Sequence, residues 1–296
     1  MDFLQKYGYT PDGEAIASKL QTLAANLATA ESPEVFKRCF SMMDLTTLHT
    51  NDTEASVRAL VEKANGVLSS FEGYPLPASV CVYPNFASVV KENRCSDELH
   101  VTTVAACFPS SQSYLDVKLL ECRMAVRNGA DEVDIVLALN YFMAGEYESA
   151  SREISEIRAA IDEEAAKEDR TVVLKVILET GLLVTEERIA NASFLAMEAG
   201  ADFIKTSTGK VEVNATPKAA FVMCESILAY YKATGRKVGF KAAGGISNAK
   251  DALSYYCIAS FVLGKEWLDK RWFRFGVSRL GNSLMSAIEQ KTVNYF

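Results

Sequence analysis

Short apolar runs with the composition of β-strands alternate with helical stretches over most of this 296-residue chain. The eight runs lie at about residues 40–45, 79–83, 100–107, 132–139, 172–179, 202–207, 238–243 and 273–276. Strands that alternate with helices form a parallel sheet, and eight such units, roughly 22 to 40 residues apart, match a (β/α)8 TIM barrel. We therefore predict an α/β protein with one barrel. A doubly wound open sheet is the alternative, which periodicity alone does not exclude, although no Rossmann glycine fingerprint is present.

The segment before the first predicted strand has a helical pattern and carries no chemical motif. Apolar residues recur at helical intervals between Asp12 and Leu27, and Pro33 opens a second short helix. We predict that residues 1–38 are a helical extension packed on the barrel. Residues 39–296 would then form the barrel and a C-terminal tail, without a second domain.

Composition excludes several functional classes. The net charge is −7 and the pI about 5.1, so neither nucleic acid nor an anionic membrane is expected as the main partner. The seven cysteines are scattered without a C-x-x-C pair, and the N-terminus lacks the blocks of a signal peptide. We therefore expect a cytoplasmic protein with reduced thiols. The two histidines, His49 and His100, are too few for a His-rich zinc site or a histidine-based triad.

Charged residues interrupt the predicted strands at one repeated position. Side chains alternate along a strand, and a barrel interior is normally filled with branched apolar residues. Five charges break that rule, each flanked by residues that would face the helices: Asp44, Asp134, Lys175, Lys205 and Lys241. One buried charge could belong to a structural ion pair. Two aspartates and three lysines that converge from several strands indicate a functional site.

Lys205 suggests the chemistry of this site. A lysine that is buried near other ammonium groups loses its proton readily, and the free amine attacks carbonyl groups to form a Schiff base. The aspartates would reduce the repulsion between the lysines and could transfer protons. The alternative is that Lys205 is an edge lysine whose ammonium reaches water, but Lys241 has a nearly identical setting.

Three glycine-bearing loops follow the last three predicted strands. They are Thr208-Gly209-Lys210, Ala243-Gly244-Gly245-Ile246-Ser247 and Gly276-Val277-Ser278-Arg279. In this fold the loops after strands seven and eight, together with a helix N-terminus, commonly bind phosphate. We therefore predict a small carbonyl substrate with a phosphate tail.

At these residues the chain resembles deoxyribose-phosphate aldolase, a class I aldolase family with a TIM barrel. The resemblance begins near Ser41 and runs to the C-terminus. Its matching segments are Met43-Asp44-Leu45-Thr46-Thr47-Leu48, Cys81-Val82-Tyr83-Pro84, Gly129-Ala130-Asp131-Glu132-Val133-Asp134, Leu174-Lys175-Val176-Ile177-Leu178-Glu179-Thr180-Gly181, Gly200 through Lys210, and Gly239-Phe240-Lys241 with Gly244-Gly245.

The resemblance implies a lyase that reversibly cleaves 2-deoxyribose 5-phosphate into acetaldehyde and glyceraldehyde 3-phosphate, without a metal or other cofactor. Lys205 would form the Schiff base, Lys241 would lower its pKa, and Asp134 would transfer protons through a water. Lys175 and Asp44 would belong to the surrounding charge network. Thr46 and Cys81 would line the pocket. The phosphate would be held by Gly209, Lys210, Gly244, Gly245, Gly276 and Ser278. A homodimer is expected by analogy.

The sequence departs from the family pattern at a few positions. Ala242 replaces the usual proline after the second lysine, and Arg279 replaces a serine in the phosphate loop, where it could bind phosphate or cap a helix. His49 stands where asparagine often lies near the substrate hydroxyls, although a lone histidine is more often structural. Tyr295 is a candidate for the proton-donating tyrosine of the family's C-terminal tail.

Two other functions stay open at this point. The chain could be an aldolase for another phosphorylated sugar, with its acceptor preference altered by His49 or Arg279. It could also be a barrel that binds a phosphorylated ligand or a protein without catalysis. The complete set of Asp134, Lys175, Lys205 and Lys241 argues against the second alternative.

Overall fold

A closed barrel of eight parallel strands forms the centre of the molecule, as a computed structural model describes it for residues 2–296. Each strand pairs with the next along the chain, and β8 pairs with β1 to close the barrel. This confirms the predicted (β/α)8 fold and rules out the open sheet. The strands are β1 Met43–Thr46, β2 Ser79–Val82, β3 His100–Val104, β4 Glu132–Val136, β5 Val173–Ile177, β6 Phe203–Lys205, β7 Gly239–Ala243 and β8 Phe273–Val277.

Helices surround the barrel and also precede it. They are α1 Phe3–Tyr7, α2 Gly13–Ala25, α3 Pro33–Ser41, α4 Glu54–Ser70, α5 Ala87–Asn93, α6 Leu115–Arg127, α7 Leu139–Met143, α8 Tyr147–Ala166, α9 Thr180–Leu183, α10 Glu186–Glu198, α11 Pro217–Thr234, α12 Ala249–Leu263 and α13 Leu280–Glu289. Short 3-10 helices lie at Leu27–Ala30, Pro84–Phe86 and Lys265–Trp267. Within residues 2–296, no helix is long and apolar enough to cross a membrane.

The helices before β1 pack on the outer helical layer. In α1, Phe3 is buried, and Tyr7 stacks on Phe194 of α10 with ring centroids 4.5 Å apart. In α2, Ile16 is buried near α11 and α12. Helix α3 continues to Ser41, so the first strand begins later than predicted, because the apolar face of α3 is itself buried.

Several predicted strands extended too far at their C-terminal ends. The chain adopts a left-handed conformation at Ala106, Cys107 and Glu179, with φ of 56°, 60° and 55°. A positive φ breaks the extended backbone of a strand, so β3 and β5 end before these residues. The apolar composition continues into the loops because these loops are buried, and composition alone therefore did not locate the strand ends.

The alternation of side chains separates two environments. Val133, Ile135, Leu174 and Val176 are fully buried in the main apolar cluster that joins the barrel to its helices. The residues between them point to the barrel axis, where charged groups replace the usual apolar filling.

Candidate active site

Seven charged side chains fill the axis of the barrel. They are Asp44, Glu132, Asp134, Lys175, Lys205, Lys241 and Arg274, and each is no more than 4% exposed. Neighbouring strands bring them into register, since Asp134 pairs with Lys175 and Lys205 pairs with Lys241. A buried charge is tolerated only when it is paired. We therefore refer to these seven residues as the axial charge cluster and treat them as one unit.

Asp134 lies at the centre of the cluster. Its Oδ2 is 2.8 Å from Nζ of Lys205 and 2.7 Å from Nζ of Lys241, and its Oδ1 is 3.0 Å from Nζ of Lys175. One carboxylate therefore contacts three ammonium groups. This arrangement gives Lys205 a short route for proton transfer to Asp134 and Lys241.

The other members lie toward the N-terminal ends of the strands. Arg274 donates to Asp44 Oδ1 at 2.6 Å and to Glu132 at 2.7 and 3.0 Å. Lys175 contacts Glu132 directly and lies 3.5 Å from Asp44. Asp44 Oδ2 is also 2.5 Å from Nζ of Lys241. The cluster is thus continuous from Glu132 to Lys205.

The protonation tendencies of the lysines differ. Burial lowers the pKa of Lys205, and the ammonium of Lys241 lowers it further, although Asp134 acts in the opposite direction. Burial also disfavours charged Lys175 and Lys241, but Asp134 and Asp44 outweigh it and raise the pKa of both lysines. Lys205 is therefore the lysine of the cluster that gives up its proton most readily.

Burial would raise the pKa of the cluster's carboxyl groups, but the adjacent cations lower it instead. The pKa of Asp134 is lowered by Lys175, Lys205 and Lys241. The pKa of Asp44 and that of Glu132 are lowered by their contacts with Lys175 and Arg274. All three groups are therefore carboxylates near neutral pH.

The charge count of the cluster is compatible with one neutral lysine, and Lys205 is the lysine whose pKa is lowered. Three carboxylates face four cationic side chains in the axial charge cluster. If Lys205 is neutral, the three remaining cations balance the three carboxylates. The uncharged amine is thus the state in which this buried group has no net charge, and an uncharged amine is nucleophilic.

An open cavity of about 250 Å³ lies at the C-terminal ends of the strands. Of the seven residues in the axial charge cluster, Lys205 lines this cavity within the described part of the chain. Thr46 and His49 lie on its wall, while Cys81 is buried beside Leu48 and Val104. Burial raises the pKa of the Cys81 thiol.

The loops after β6, β7 and β8 form the rim of the cavity. All seven residues predicted to bind phosphate line it: Gly209, Lys210, Gly244, Gly245, Gly276, Ser278 and Arg279. Gly244 and Gly245 have φ of 86° and 81°, a conformation that glycine adopts without strain. Helix α13 begins directly after Arg279, so its N-terminal amides lie at the rim. Lys210 Nζ donates to the Leu48 carbonyl at 2.6 Å.

Tyr295 does not lie at the cavity. Its hydroxyl donates to the Lys63 carbonyl of α4 at 2.9 Å, and its ring packs edge-on against Phe71. The backbone of the tail is fixed by Asn282, whose Oδ1 accepts from the amides of Tyr295 and Phe296 at 2.8 and 2.9 Å. The structure therefore places the tail among the outer helices, away from Lys205.

Sequence reasoning missed Glu132, Arg274 and Glu179. The pattern Phe273-Arg274-Phe275 repeats that of the predicted inward charges, and Glu132 lies two residues before Asp134 on the same strand face. Both residues could therefore have been found by the same rule. Glu179 accepts from the amide and hydroxyl of Thr208 at 3.1 and 2.5 Å, so it holds the loop after β6.

Among the described residues, the histidines and carboxylates form no candidate metal site. Over residues 2–296, no three His, Cys, Asp or Glu side chains are grouped so that they could ligate a metal ion. The clustered carboxylates of Asp44, Glu132 and Asp134 each contact lysine or arginine instead. Their negative charge is therefore already balanced by protein cations.

The closed eight-stranded barrel is the fold of a family of aldolases. Residues 39–260, about three quarters of the chain, match the model of the DeoC/LacD family aldolase. The chain therefore belongs to the DeoC/LacD aldolase family, and the resemblance noted from its motifs is confirmed.

Relatives of known sequence or structure agree with this assignment. A Caenorhabditis elegans protein provisionally assigned as a deoxyribose-phosphate aldolase is 36% identical over 280 residues, which are 94% of this chain and 89% of the relative. The tetrameric deoxyribose phosphate aldolase of Aeropyrum pernix has a TM-score of 0.66 and 26% identity, covering 93% of this chain and 98% of the other. The structure of an aldolase described as QR15 has a TM-score of 0.65 and 27% sequence identity. The match covers 85% of this chain and 95% of the other.

Proposed function

We propose that this protein is a class I aldolase that reversibly cleaves 2-deoxy-D-ribose 5-phosphate into acetaldehyde and D-glyceraldehyde 3-phosphate. The observation that carries the proposal is the position of Lys205. It is buried, contacts a carboxylate shared with two other lysines, and lines a cavity whose rim is rich in glycine and cations. Family membership and the names of the relatives support this choice of substrate.

The reaction begins with the free amine of Lys205. Its nitrogen attacks the C1 aldehyde of the open-chain sugar to give a carbinolamine, which loses water to form an iminium ion. Asp134 Oδ2 lies 2.8 Å from Lys205 Nζ and 2.7 Å from Lys241 Nζ. Asp134 and Lys241 would therefore transfer the protons that this dehydration requires.

Cleavage then uses the iminium ion as an electron acceptor. The C3 hydroxyl loses its proton, the bond between C2 and C3 breaks, and the electron pair moves to the iminium nitrogen to give an enamine. Glyceraldehyde 3-phosphate leaves at this point. Protonation of the enamine carbon and hydrolysis by one water release acetaldehyde and restore Lys205.

The neutral amine fits the charge balance of the axial charge cluster. Formation of the iminium ion adds a positive charge to a group that is otherwise balanced, and enamine formation removes it again. A preorganised site that stabilises charge as it develops in the transition state is a major source of catalysis. The cluster therefore favours the electron flow that breaks the carbon–carbon bond.

The phosphate group would bind at the rim of the cavity. The amides of Gly244 and Gly245 and the N-terminus of α13 can donate to its oxygens, and Lys210 and Arg279 supply positive charge. Binding there would direct the sugar aldehyde toward Lys205. Thr46 and His49, on the same wall, are placed to contact substrate hydroxyls.

Borohydride trapping tests the proposal. The protein is incubated with 2-deoxyribose 5-phosphate or acetaldehyde, reduced, digested and mapped by mass spectrometry. We expect one adduct on Lys205 that is insensitive to chelator and absent in Lys205→Ala. Lys118 is an internal control in the same digest, because it is also buried but pairs with Glu153 between α6 and α8.

Other outcomes would redirect the proposal. An adduct on Lys241 or Lys175 would retain the mechanism but reassign the nucleophile. A folded protein without any lysine adduct would contradict the aldolase mechanism and favour a ligand-binding barrel. A wider panel of phosphorylated sugars distinguishes an aldolase of different substrate preference.

Two further expectations accompany the proposal. We expect a cytoplasmic enzyme that is a homodimer, whereas the Aeropyrum pernix relative is described as tetrameric. Light scattering coupled to gel filtration measures the assembly directly. A monomer or a tetramer in solution would replace the dimer without affecting the proposed chemistry.

A further inference from the structure

Glu132 and Arg274 form a buried ion pair below the reactive lysine. The guanidinium of Arg274 contacts both oxygens of Glu132, at 2.7 and 3.0 Å, and both side chains are almost fully inaccessible. His100 Nδ1 lies 2.6 Å from Glu132 Oε1, and the Thr102 hydroxyl lies 3.0 Å from Oε2. Neither Glu132 nor Arg274 lines the substrate cavity. Neither can therefore act on substrate directly.

Two bridges connect this pair to the reacting centre. Lys175 contacts Glu132 on one side and Asp134 on the other. Asp44 accepts from Arg274 and also contacts Lys241. A change of charge at Glu132 or Arg274 therefore reaches Lys205 through groups in direct contact, in a region from which water is excluded. Charges interact more strongly there than at a surface.

We propose that Glu132 and Arg274 are positioning residues that set the fraction of Lys205 present as free amine through the net charge of the axial charge cluster. This inference rests on the proposed function. With Lys205 neutral, the cluster contains three cations and three carboxylates. Glu132 supplies one of those carboxylates and Arg274 one of those cations, so removal of either leaves one unmatched charge.

The two removals have opposite consequences. Loss of the Glu132 charge leaves an excess cation, which disfavours the ammonium form of Lys205. Loss of the Arg274 charge leaves an excess carboxylate, which favours that ammonium form. Compared with wild type, the free amine of Lys205 should therefore form at a lower pH when the Glu132 charge is lost. It should form only at a higher pH when the Arg274 charge is lost. Removing both charges restores the balance.

The groups that face Lys205 define the rest of its electrostatic environment. Asp134 of β4 contacts Lys205, Lys241 of β7 contacts Asp134, and Cys81 of β2 lies near Lys205. Lys210, His49 and Arg279 share the cavity. These groups are unchanged by substitutions at Glu132 and Arg274, so a shift in the titration of Lys205 would arise from the cluster's charge.

The experiment measures the initial rate of borohydride trapping by acetaldehyde between pH 5 and 10. The variants are Glu132→Gln, Arg274→Met and the double variant, with far-UV circular dichroism to check folding. We expect the profile of Glu132→Gln to move toward acid by about one pH unit and that of Arg274→Met toward alkali by a similar amount. The double variant should return close to the wild-type profile.

Glu153→Gln is the matched control. It removes the carboxylate of another buried ion pair, in which Lys118 Nζ lies 2.6 Å from Glu153 Oε1. This pair lies between α6 and α8, outside the axial charge cluster, so the variant should keep the wild-type profile.

The results separate this inference from the proposed function. If wild-type protein traps no adduct, the proposed function fails. If it traps an adduct on Lys205 while both single variants keep the wild-type profile, or move in the same direction, the inference is overturned. If the single variants do not fold, the charge-balanced double variant decides: a profile displaced from wild type by a full pH unit would overturn the inference.

Discussion

At the scale of a residue, two buried lysines of this molecule differ in the groups that surround them. Lys118 pairs with Glu153 at 2.6 Å and also contacts Ser111. Lys205 instead contacts Asp134, a carboxylate that Lys175 and Lys241 also approach. Burial and the nearby ammonium of Lys241 lower the pKa of Lys205, although Asp134 acts in the opposite direction. Burial alone therefore does not identify a nucleophile.

Asp134→Asn should separate imine formation from turnover. The amide cannot take a proton from the reacting groups, so we expect the rate of sugar cleavage to fall by about 10²- to 10⁴-fold. Loss of one carboxylate also disfavours the charged form of Lys205, so borohydride trapping on that lysine should persist. A coupled assay for glyceraldehyde 3-phosphate, run beside trapping, measures both. Unchanged turnover would remove Asp134 from the proposed mechanism.

Arg279→Ala tests the cation that departs from the family's serine. The side chain is exposed at the cavity rim beside the first turn of α13. Loss of one charge-assisted contact to phosphate should raise KM for 2-deoxyribose 5-phosphate by roughly tenfold. Activity on unphosphorylated 2-deoxyribose should not change, and this comparison is the control. An equal effect on both sugars would mean that Arg279 acts on the fold of the loop.

At the scale of an element, the loop between β7 and α12 combines two glycines with different constraints. Both have positive φ. A Cβ on Gly244 would lie 2.7 Å from Cβ and Oδ1 of Asn214, whereas a Cβ on Gly245 would meet no atom within 4 Å. The first glycine is therefore required by conformation and by space, the second by conformation alone.

Gly244→Ala and Gly245→Ala form a matched pair. Gly245→Ala should lower the free energy of unfolding by about 1–2 kcal/mol, the cost of a left-handed alanine. Gly244→Ala should cost more, because Asn214 or the loop must move as well. Urea unfolding monitored by circular dichroism measures both. A larger loss in Gly245→Ala would contradict the geometry of this loop.

Strand segments with one charged residue between two apolar residues show how much of the fold and site could be predicted from sequence. Period-two alternation identifies Asp134, Lys205 and Lys241 as inward-facing, and the order of strands and helices predicts the barrel. The same rule applied to Phe273-Arg274-Phe275 would have found Arg274. By contrast, strand ends depend on positive φ values such as that of Glu179, and apolar composition does not encode these.

Tyr295 illustrates a second limit. Its position follows from packing against Phe71 and from the amide contacts of Asn282, which connect segments distant in sequence. Family analogy names a candidate tyrosine, but only tertiary contacts place it. Terminal segments have few local constraints, so the sequence near Tyr295 did not predict the contact with Lys63.

At the scale of the whole molecule, the axial charge cluster makes stability depend on pH. The pKa values of Asp44, Glu132 and Asp134 are all lowered by adjacent cations. A carboxyl group with a lowered folded-state pKa stabilises the protein above its unfolded-state pKa, and this contribution is lost as pH falls below that value.

We therefore expect the free energy of unfolding to fall as pH decreases below about 4.5, by up to about 1.4 kcal/mol per pH unit for each such carboxylate. Near neutral pH, the free energy of unfolding of Asp134→Asn should be lower than that of wild type by roughly 3 kcal/mol. Below about pH 4.5, its free energy of unfolding should depend less steeply on pH, by the equivalent of about one bound proton. Urea unfolding at a series of pH values measures both quantities. Parallel slopes for the two proteins would contradict the linkage.

Barrel closure also determines when the axial charge cluster can be assembled during protein synthesis. Asp44 lies in the first strand and Arg274 in the last, yet their side chains meet at 2.6 Å across 230 positions of sequence. On a ribosome, the nascent chain must therefore carry Lys175, Lys205 and Lys241 without their full set of partners until β8 emerges. Since the chain is made from its N-terminus, Lys205 acquires its full set of charged neighbours only after β8 has been synthesised.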